Sequence, residues 1–144
     1  MSEDDRLIYL LSIAQQTLKD HTNRTLAGKG GKVTAAQAGI LFLLQEKDGR
    51  YMSEIAQVIG VDNSAMTRLV DRLEKAGLVI RQIDPENRRA ISILLTQAGR
   101  EEAARALNVS KRINEAIKKD YSTGELDAFK KILRGILQKF KTSQ

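Results

Sequence analysis

Apolar positions recur at helical spacing over most of the chain and change to strand-like runs only once, between residues 78 and 95. Over residues 5–27, Leu7, Leu11, Ala14 and Leu18 form one stripe of an amphipathic helix. The AGKGGK stretch at 27–32 ends it, because Gly28, Gly30 and Gly31 break a helix and make a flexible connection. Thr34 followed by Gln37 is a capping box for a second helix, TAAQAGILFLLQEK. Its apolar run Ile40–Leu44 predicts burial around most of its girth. Gly39 inside it costs about 1 kcal/mol relative to alanine, which predicts close backbone packing at that point. Gly49 ends the element.

Ser53 is placed to cap a short helix, SEIAQVI, with Ile55, Ala56 and Ile59 facing inward. Gly60 supplies a C-terminal turn, and Asp62 or Asn63 caps the next helix. That next helix divides cleanly at 100° per residue. Met66, Leu69, Val70 and Leu73 share the inward face, and Ser64, Thr67, Arg68, Asp71, Arg72 and Lys75 lie opposite. It stops at Gly77. Leu78–Ile83 and Ala90–Leu95 are rich in β-branched residues and read as strands, joined by the turn DPENRR. A long helix follows from Gln97 to about Asp120, with Ala103, Leu107, Ile113, Ala116 and Ile117 as its apolar positions. Ser122 with Glu125 caps a last helix, which carries Leu126, Phe129, Ile132, Leu133, Ile136, Leu137 and Phe140 on one stripe.

Two helices across a glycine-containing turn, followed by a hairpin, make a winged helix-turn-helix. The predicted fold is mainly α with a small β-hairpin wing, the winged segment at 34–96 being flanked by long helices at 1–33 and 97–144. Those flanking helices carry more apolar surface than so small a domain covers. They are therefore expected to intertwine with a second copy in a two-fold homodimer. Such a dimer presents two recognition helices about 34 Å apart, one turn of DNA, to an inverted repeat. An outward face of hydroxyls and guanidinium groups suits entry into a major groove.

Composition narrows the chemistry. In the 144 residues there is no cysteine, which excludes disulfides, thiolate catalysis and cysteine zinc sites. His21 is the single histidine and reads first as a helix-surface residue, so no metal site is expected. No cofactor is expected either, since the glycines at 28, 30 and 31 do not follow a strand as a phosphate loop would. No apolar run approaches the roughly 20 residues that span a bilayer. MSEDDR at the N-terminus is acidic and lacks a secretory core, so a cytoplasmic location is expected. The net charge of +6 is concentrated in residues 96–144, with eleven basic and six acidic side chains. Residues 53–95 carry six of each. The case for DNA thus rests on where Arg68, Arg72, Arg88 and Arg89 stand, not on bulk charge.

The run TRLVDRLEKAGLVIR at 67–81, then DPENRRA at 84–90 and ILLTQAG at 93–99, resembles the multiple antibiotic resistance regulator (MarR) family of winged-helix transcription factors. The likeness extends through the helix order on both sides. It implies an obligate dimer, binding to a pseudo-palindromic DNA operator, and in many members release by a small aromatic or phenolic ligand; the function expected here is a sequence-specific DNA-binding regulator, most simply a repressor. The family's recognition-helix positions fall on Ser64, Thr67, Arg68 and Arg72, with Asn63 at the start of the same helix. Arginine pairs bidentately with guanine, and serine and threonine serve bases or phosphates. Asp71 on that face would repel phosphate unless paired; Arg68 at i−3 and Lys75 at i+4 are both in reach.

The family's wing motif, Asp-x-Arg, falls on Asn87-Arg88-Arg89, with asparagine in place of aspartate. Arg89 is then the side chain that enters a narrowed minor groove, and Arg88 is a second candidate. Losing the aspartate leaves either a less ordered wing or substitution by Asp84 or Glu86. The family's effector pockets, between dimer helices and winged domain, would draw here on Tyr9, Ile13, His21, Arg24 and Phe42. A winged-helix adaptor for protein–protein contact is the alternative, favoured only by the net-zero charge of 53–95. No catalytic constellation is visible, so an enzyme is not expected.

Overall fold

The computed structural model describes residues 6–28 and 30–141. The elements run α1 (Leu7–Gly28), α2 (Ala35–Glu46), β1 (Arg50–Tyr51), α3 (Met52–Ile59), α4 (Asn63–Lys75), β2 (Val79–Ile83), β3 (Ile91–Leu95), α5 (Gln97–Lys118) and α6 (Thr123–Phe140). They fall into two compact units, Met1–Ser110 and Lys111–Gln144, with the boundary inside α5.

The core of the first unit is built on α2, which buries Ile40, Leu41 and Leu44 completely, as its apolar run predicts. Around it pack Ile55 of α3, Met66, Val70 and Leu73 of α4, and Leu78, Val79 and Ile93 of the hairpin. Each fully buried aliphatic side chain contributes about 1.5–3 kcal/mol relative to its exposed state. The capping box that starts α2 is present: Thr34 Oγ1 accepts from the Gln37 N–H, and Gln37 Oε1 accepts from the Thr34 N–H. A further cap comes from outside the element. Asn23 of α1 accepts the Ala35 N–H at 2.7 Å, which ties α1 to the start of α2.

Two local expectations are corrected. Ser53 does not cap α3, because the chain passes straight from β1 into the helix and the cap position falls on Tyr51, which makes no side-chain cap bond. Gly39 is not a close approach: a Cβ built there meets nothing within 4 Å. A close approach of backbone does occur at Gly99, whose Cβ would lie 2.0 Å from the Leu78 carbonyl oxygen. Its cause is a set of bonds drawing the start of α5 onto the turn after α4. The Thr96 N–H donates to Leu78 O at 3.1 Å, the Thr96 hydroxyl to Gly77 O at 2.6 Å, and the Gly99 N–H to Thr96 Oγ1 at 3.0 Å.

The hairpin is part of a three-stranded antiparallel sheet in the order β1-β3-β2. Val79 pairs with Leu95 and Ile83 with Ile91, while Arg50 pairs with Ile93 on the other side. β1 is not visible in the hydrophobic pattern, being two residues long. Asp48 supports it by accepting the Leu95 N–H at 2.9 Å.

In α5 the buried positions are Gly99, Glu102, Ala103, Ala106 and Val109. Of the stripe read from the sequence, Ala103 is buried and Leu107 and Ile113 are half-buried, but Ala116 and Ile117 are exposed. Glu102 is held inside by the Lys32 N–H at 3.2 Å and by Arg105 at 2.7 Å. Burial alone pushes its carboxyl up. The Arg105 hydrogen bond, the Lys32 N–H and the charges of both residues outweigh that and leave its pKa lowered.

The apolar stripes at the two ends of the chain, expected to meet a second copy, are exposed in one chain. In α1 only Leu26 is buried, while Leu7, Ile8, Tyr9, Leu10, Leu11, Ile13 and Leu18 are all exposed. In α6, capped by Ser122 and Glu125 as the pattern predicts, no residue is buried and Phe129, Ile132, Ile136, Leu137 and Phe140 are exposed.

Candidate nucleic-acid interface

The α3–α4 turn is shaped by Gly60, whose φ of +74° is the left-handed conformation that glycine adopts without strain. Its N–H and that of Val61 both bond to the Ala56 carbonyl, at 2.9 and 3.1 Å. Asp62, one of the two candidate caps, accepts the Ala65 N–H at 2.7 Å and starts α4. Burial of Met66, Val70 and Leu73 fixes the rotation of α4 about its axis, with Leu69 half-buried at the edge. Asn63, Ser64, Thr67, Arg68 and Arg72 are thereby brought together on the exposed side.

These side chains are not equivalent. Among the described residues, Arg68 and Arg72 form no ion pair and no hydrogen bond, so both guanidinium forks are available. The Thr67 hydroxyl donates to the Asn63 carbonyl at 2.8 Å. As placed, it offers a partner an acceptor and a methyl group rather than a donor. Asp71 pairs neither with Arg68 nor with Lys75. Its carboxylate accepts from Arg81 of β2, which also lies 3.8 Å from Glu74. Sequence reasoning missed Arg81 because the pair is ten residues apart and obeys no helical spacing. Strand alternation carried the signal: Arg81 shares a face with the buried Val79, an unusual place for a charge.

In the wing, Asn87 does not act as a charge partner for Arg89. Its side-chain oxygen accepts the Arg89 backbone N–H at 3.2 Å, and its carbonyl accepts the Ala90 N–H at 2.9 Å. Asp84 is likewise used on the backbone, taking the Glu86 N–H at 2.9 Å. The Asp84 N–H closes the loop onto Ala90 O at 3.1 Å. Neither Asp84 nor Glu86 substitutes as an ion partner, and the loop is closed by hydrogen bonds without one. Among the described residues, the Arg88 and Arg89 side chains are exposed and unpaired.

The five effector candidates lie on α1 and α2. Tyr9, Ile13, His21 and Arg24 are exposed on α1, and Phe42 is half-buried in α2. His21 sits on the helix surface, its Nε2 3.5 Å from the Thr25 hydroxyl. A hollow of about 550 Å³ does lie beside α1, but Gln15, Leu18, Lys19, Thr22, Ala36, Ile59 and Val61 are among its walls.

The MarR family model matches residues 33–91, which hold α2, α3, α4, β2 and the turn that leads into β3. The transcriptional repressor MprA of Escherichia coli K12 is 28% identical over 125 residues, covering 87% of this chain and 71% of the repressor. A mutant MarR from E. coli complexed with operator DNA superposes with a TM-score of 0.83 at 25% identity, over 94% of this chain and 96% of that one. CouR of Rhodococcus jostii RHA1, bound to p-coumaroyl-CoA, gives 0.81 at 26% identity, over 100% and 99%. Over residues 33–91, and in the order of its helices and strands, the chain is similar to MarR-family transcriptional regulators. The relatives it matches are named as transcriptional regulators, not as enzymes. Among its described residues no helix is long and apolar enough to cross a membrane.

Proposed function

We propose that this protein is a homodimer that binds a pseudo-palindromic DNA operator sequence-specifically and represses transcription from it. One observation carries the reading: Arg68 and Arg72 stand exposed and unpaired on the outer face of α4, whose opposite face is locked into the core. Arg68 and Arg72 read bases in the major groove, with Asn63, Ser64 and Thr67 on base edges or phosphates. Arg89, with Arg88 beside it, reaches the adjacent minor groove. The exposed apolar surfaces of α1 and α6 support the dimer, because contiguous apolar surface on a soluble chain marks an interface. The segments at 1–33 and 97–144 are the dimerisation region in this reading, and 34–96 the DNA-reading domain.

Release by a small aromatic effector belongs to the same proposal. The hollow beside α1 includes Ile59 and Val61, so a ligand there would press on the turn that aims α4. Tyr9, Ile13, His21, Arg24 and Phe42 would take part where a second protomer completes the wall.

The test is fluorescence anisotropy against DNA upstream of the protein's own gene, titrated with salt beside a scrambled duplex. Tight binding with a steep salt dependence and a wide gap over scrambled DNA is expected. Equal affinity for the upstream and scrambled duplexes, with no preferred duplex recovered from genomic fragments, would overturn the reading.

A further inference from the structure

We infer that Arg81 is a positioning residue for DNA reading: from the wing strand it occupies the two carboxylates of the recognition helix and so leaves Arg68 for the bases. The inference rests on the DNA-reading function proposed above. α4 carries five charges, Arg68, Asp71, Arg72, Glu74 and Lys75, within two turns. Thr67, Asp71 and Glu74 form one stripe, adjacent to the stripe of Ser64, Arg68 and Arg72. At i, i+3 and i, i+4 spacing, an unpartnered Asp71 has Arg68 and Lys75 as its natural partners. Pairing with either would fold a DNA-facing cation back onto the helix. An unpaired carboxylate beside the reading face would also repel phosphates.

The structure resolves this competition from outside the helix. Arg81 is more enclosed than the acids it meets, with 26% of its side chain exposed against 46% for Asp71 and 43% for Glu74. Its stem rises from a strand whose register is set by Arg81 pairing with Ile93, which is fully buried. A guanidinium held by a sheet loses less side-chain freedom on pairing than a mobile surface arginine does. Arg81 therefore outcompetes Arg68 and Lys75 for Asp71, and its second nitrogen lies 3.8 Å from Glu74. Its Nε is buried without a hydrogen-bond partner, a cost the fold carries to hold the fork in place. The same contact links α4 to β2, so the recognition helix and the wing keep a fixed mutual angle.

The experiment compares wild type, Arg81→Gln and Arg81→Gln with Asp71→Asn, using a duplex that wild type selects from a random-sequence pool and a scrambled duplex of equal length. Arg81→Gln should narrow the ratio of the two affinities about tenfold, the scale of one lost base-reading contact. Adding Asp71→Asn should widen the ratio again, since it releases Arg68. In the Arg81→Gln background, Arg68→Ala should change the ratio little, because Arg68 is already diverted. An Arg81→Gln variant that weakens both duplexes equally would instead make Arg81 a phosphate contact and overturn the inference, as would an unchanged ratio. If Arg81→Gln does not fold, Arg81→Lys serves: a single ammonium cannot hold both acids, so a partial loss of ratio restored by Glu74→Gln is expected. The side-chain Nε–H resonance of Arg68 in DNA-free protein gives a second readout. It should move on Arg81→Gln and return on adding Asp71→Asn, and a resonance that stays still would overturn the inference. This separates the two readings. Wild type without any preferred duplex defeats the DNA-reading function, whereas the Arg68 resonance reports on Arg81 by itself.

Discussion

Gly99 and Gly39 both lie in helices, and their substitution by alanine should act in opposite directions. At Gly99 the added methyl would sit 2.0 Å from a backbone carbonyl, which no side-chain movement can relieve. Overpacking of this kind costs about 1–3 kcal/mol, so Gly99→Ala should lower the urea midpoint. At Gly39 the methyl meets open space. There Gly39→Ala should add about 0.5–1 kcal/mol from helix propensity alone. Glu102 gives a pH-dependent counterpart. Its folded pKa lies below the usual value near 4.5, so its stabilising contribution is complete above that value and fades as pH falls through the folded one. Glu102→Gln should therefore be less stable than wild type at neutral pH. In urea midpoints measured from pH 7 down to pH 3, the gap should close on acidification; a gap that persists unchanged would remove ionisation from the account. None of these residue-level roles was legible beforehand. A helix pattern locates a glycine or a glutamate on a face, but not the carbonyl or N–H that another segment brings to it.

Elements were legible in proportion to how local their causes are. Thr34, Ser122 and the choice of Asp62 or Asn63 marked helix starts correctly because a cap bonds to its own helix within three residues. The strands were found within a residue of their ends, since β-branched runs bounded by turn residues are a local signal. β1 was not found, because two residues carry no alternation and its partner Ile93 lies more than forty positions on. Ser53 failed as a cap for the same reason: β1 delivers the chain to α3 already extended at Tyr51. Asn87 shows both sides. Its position in the wing was legible from the motif, but its bond to the Arg89 N–H required the turn itself. Asn87→Ala removes that acceptor and should loosen the tip that aims Arg89. Affinity should then fall most for operators with A·T-rich flanks, where a narrow minor groove rewards an inserted arginine. Anisotropy against one operator core in A·T-rich and G·C-rich flanks measures this, and an equal loss on both would reduce the wing to a phosphate contact.

For the whole molecule, the informative feature is what a single chain leaves uncovered. The pattern showed that the first and last helices are amphipathic, but periodicity cannot say whether an apolar stripe meets its own chain or another. The structure shows which stripes meet their own chain. α2 and α4 bury their stripes within the first unit, whereas Leu7 to Leu18 and Phe129 to Phe140 keep large apolar groups in solvent, Leu137 at 70% and Ile8 at 87% exposure. Removing such surface from water is worth about 25 cal/mol per Å², and charged residues would be cheap replacements if it were always wet. In the proposed homodimer a second copy would cover the same patches twice through one two-fold axis. Ile132→Glu, placed in the α6 stripe, should then convert a dimer into a monomer by light scattering while the first unit keeps its cooperative melt, because no residue of α6 belongs to that core. Truncation after Thr123 should do the same. DNA binding should fall much further than either change explains locally. Two half-sites held by one dimer bind with the effective concentration of a tethered pair, and a monomer loses it. A wild-type chain that is monomeric and folded, or an Ile132→Glu monomer that binds the operator as tightly as wild type, would each refute the dimeric reading.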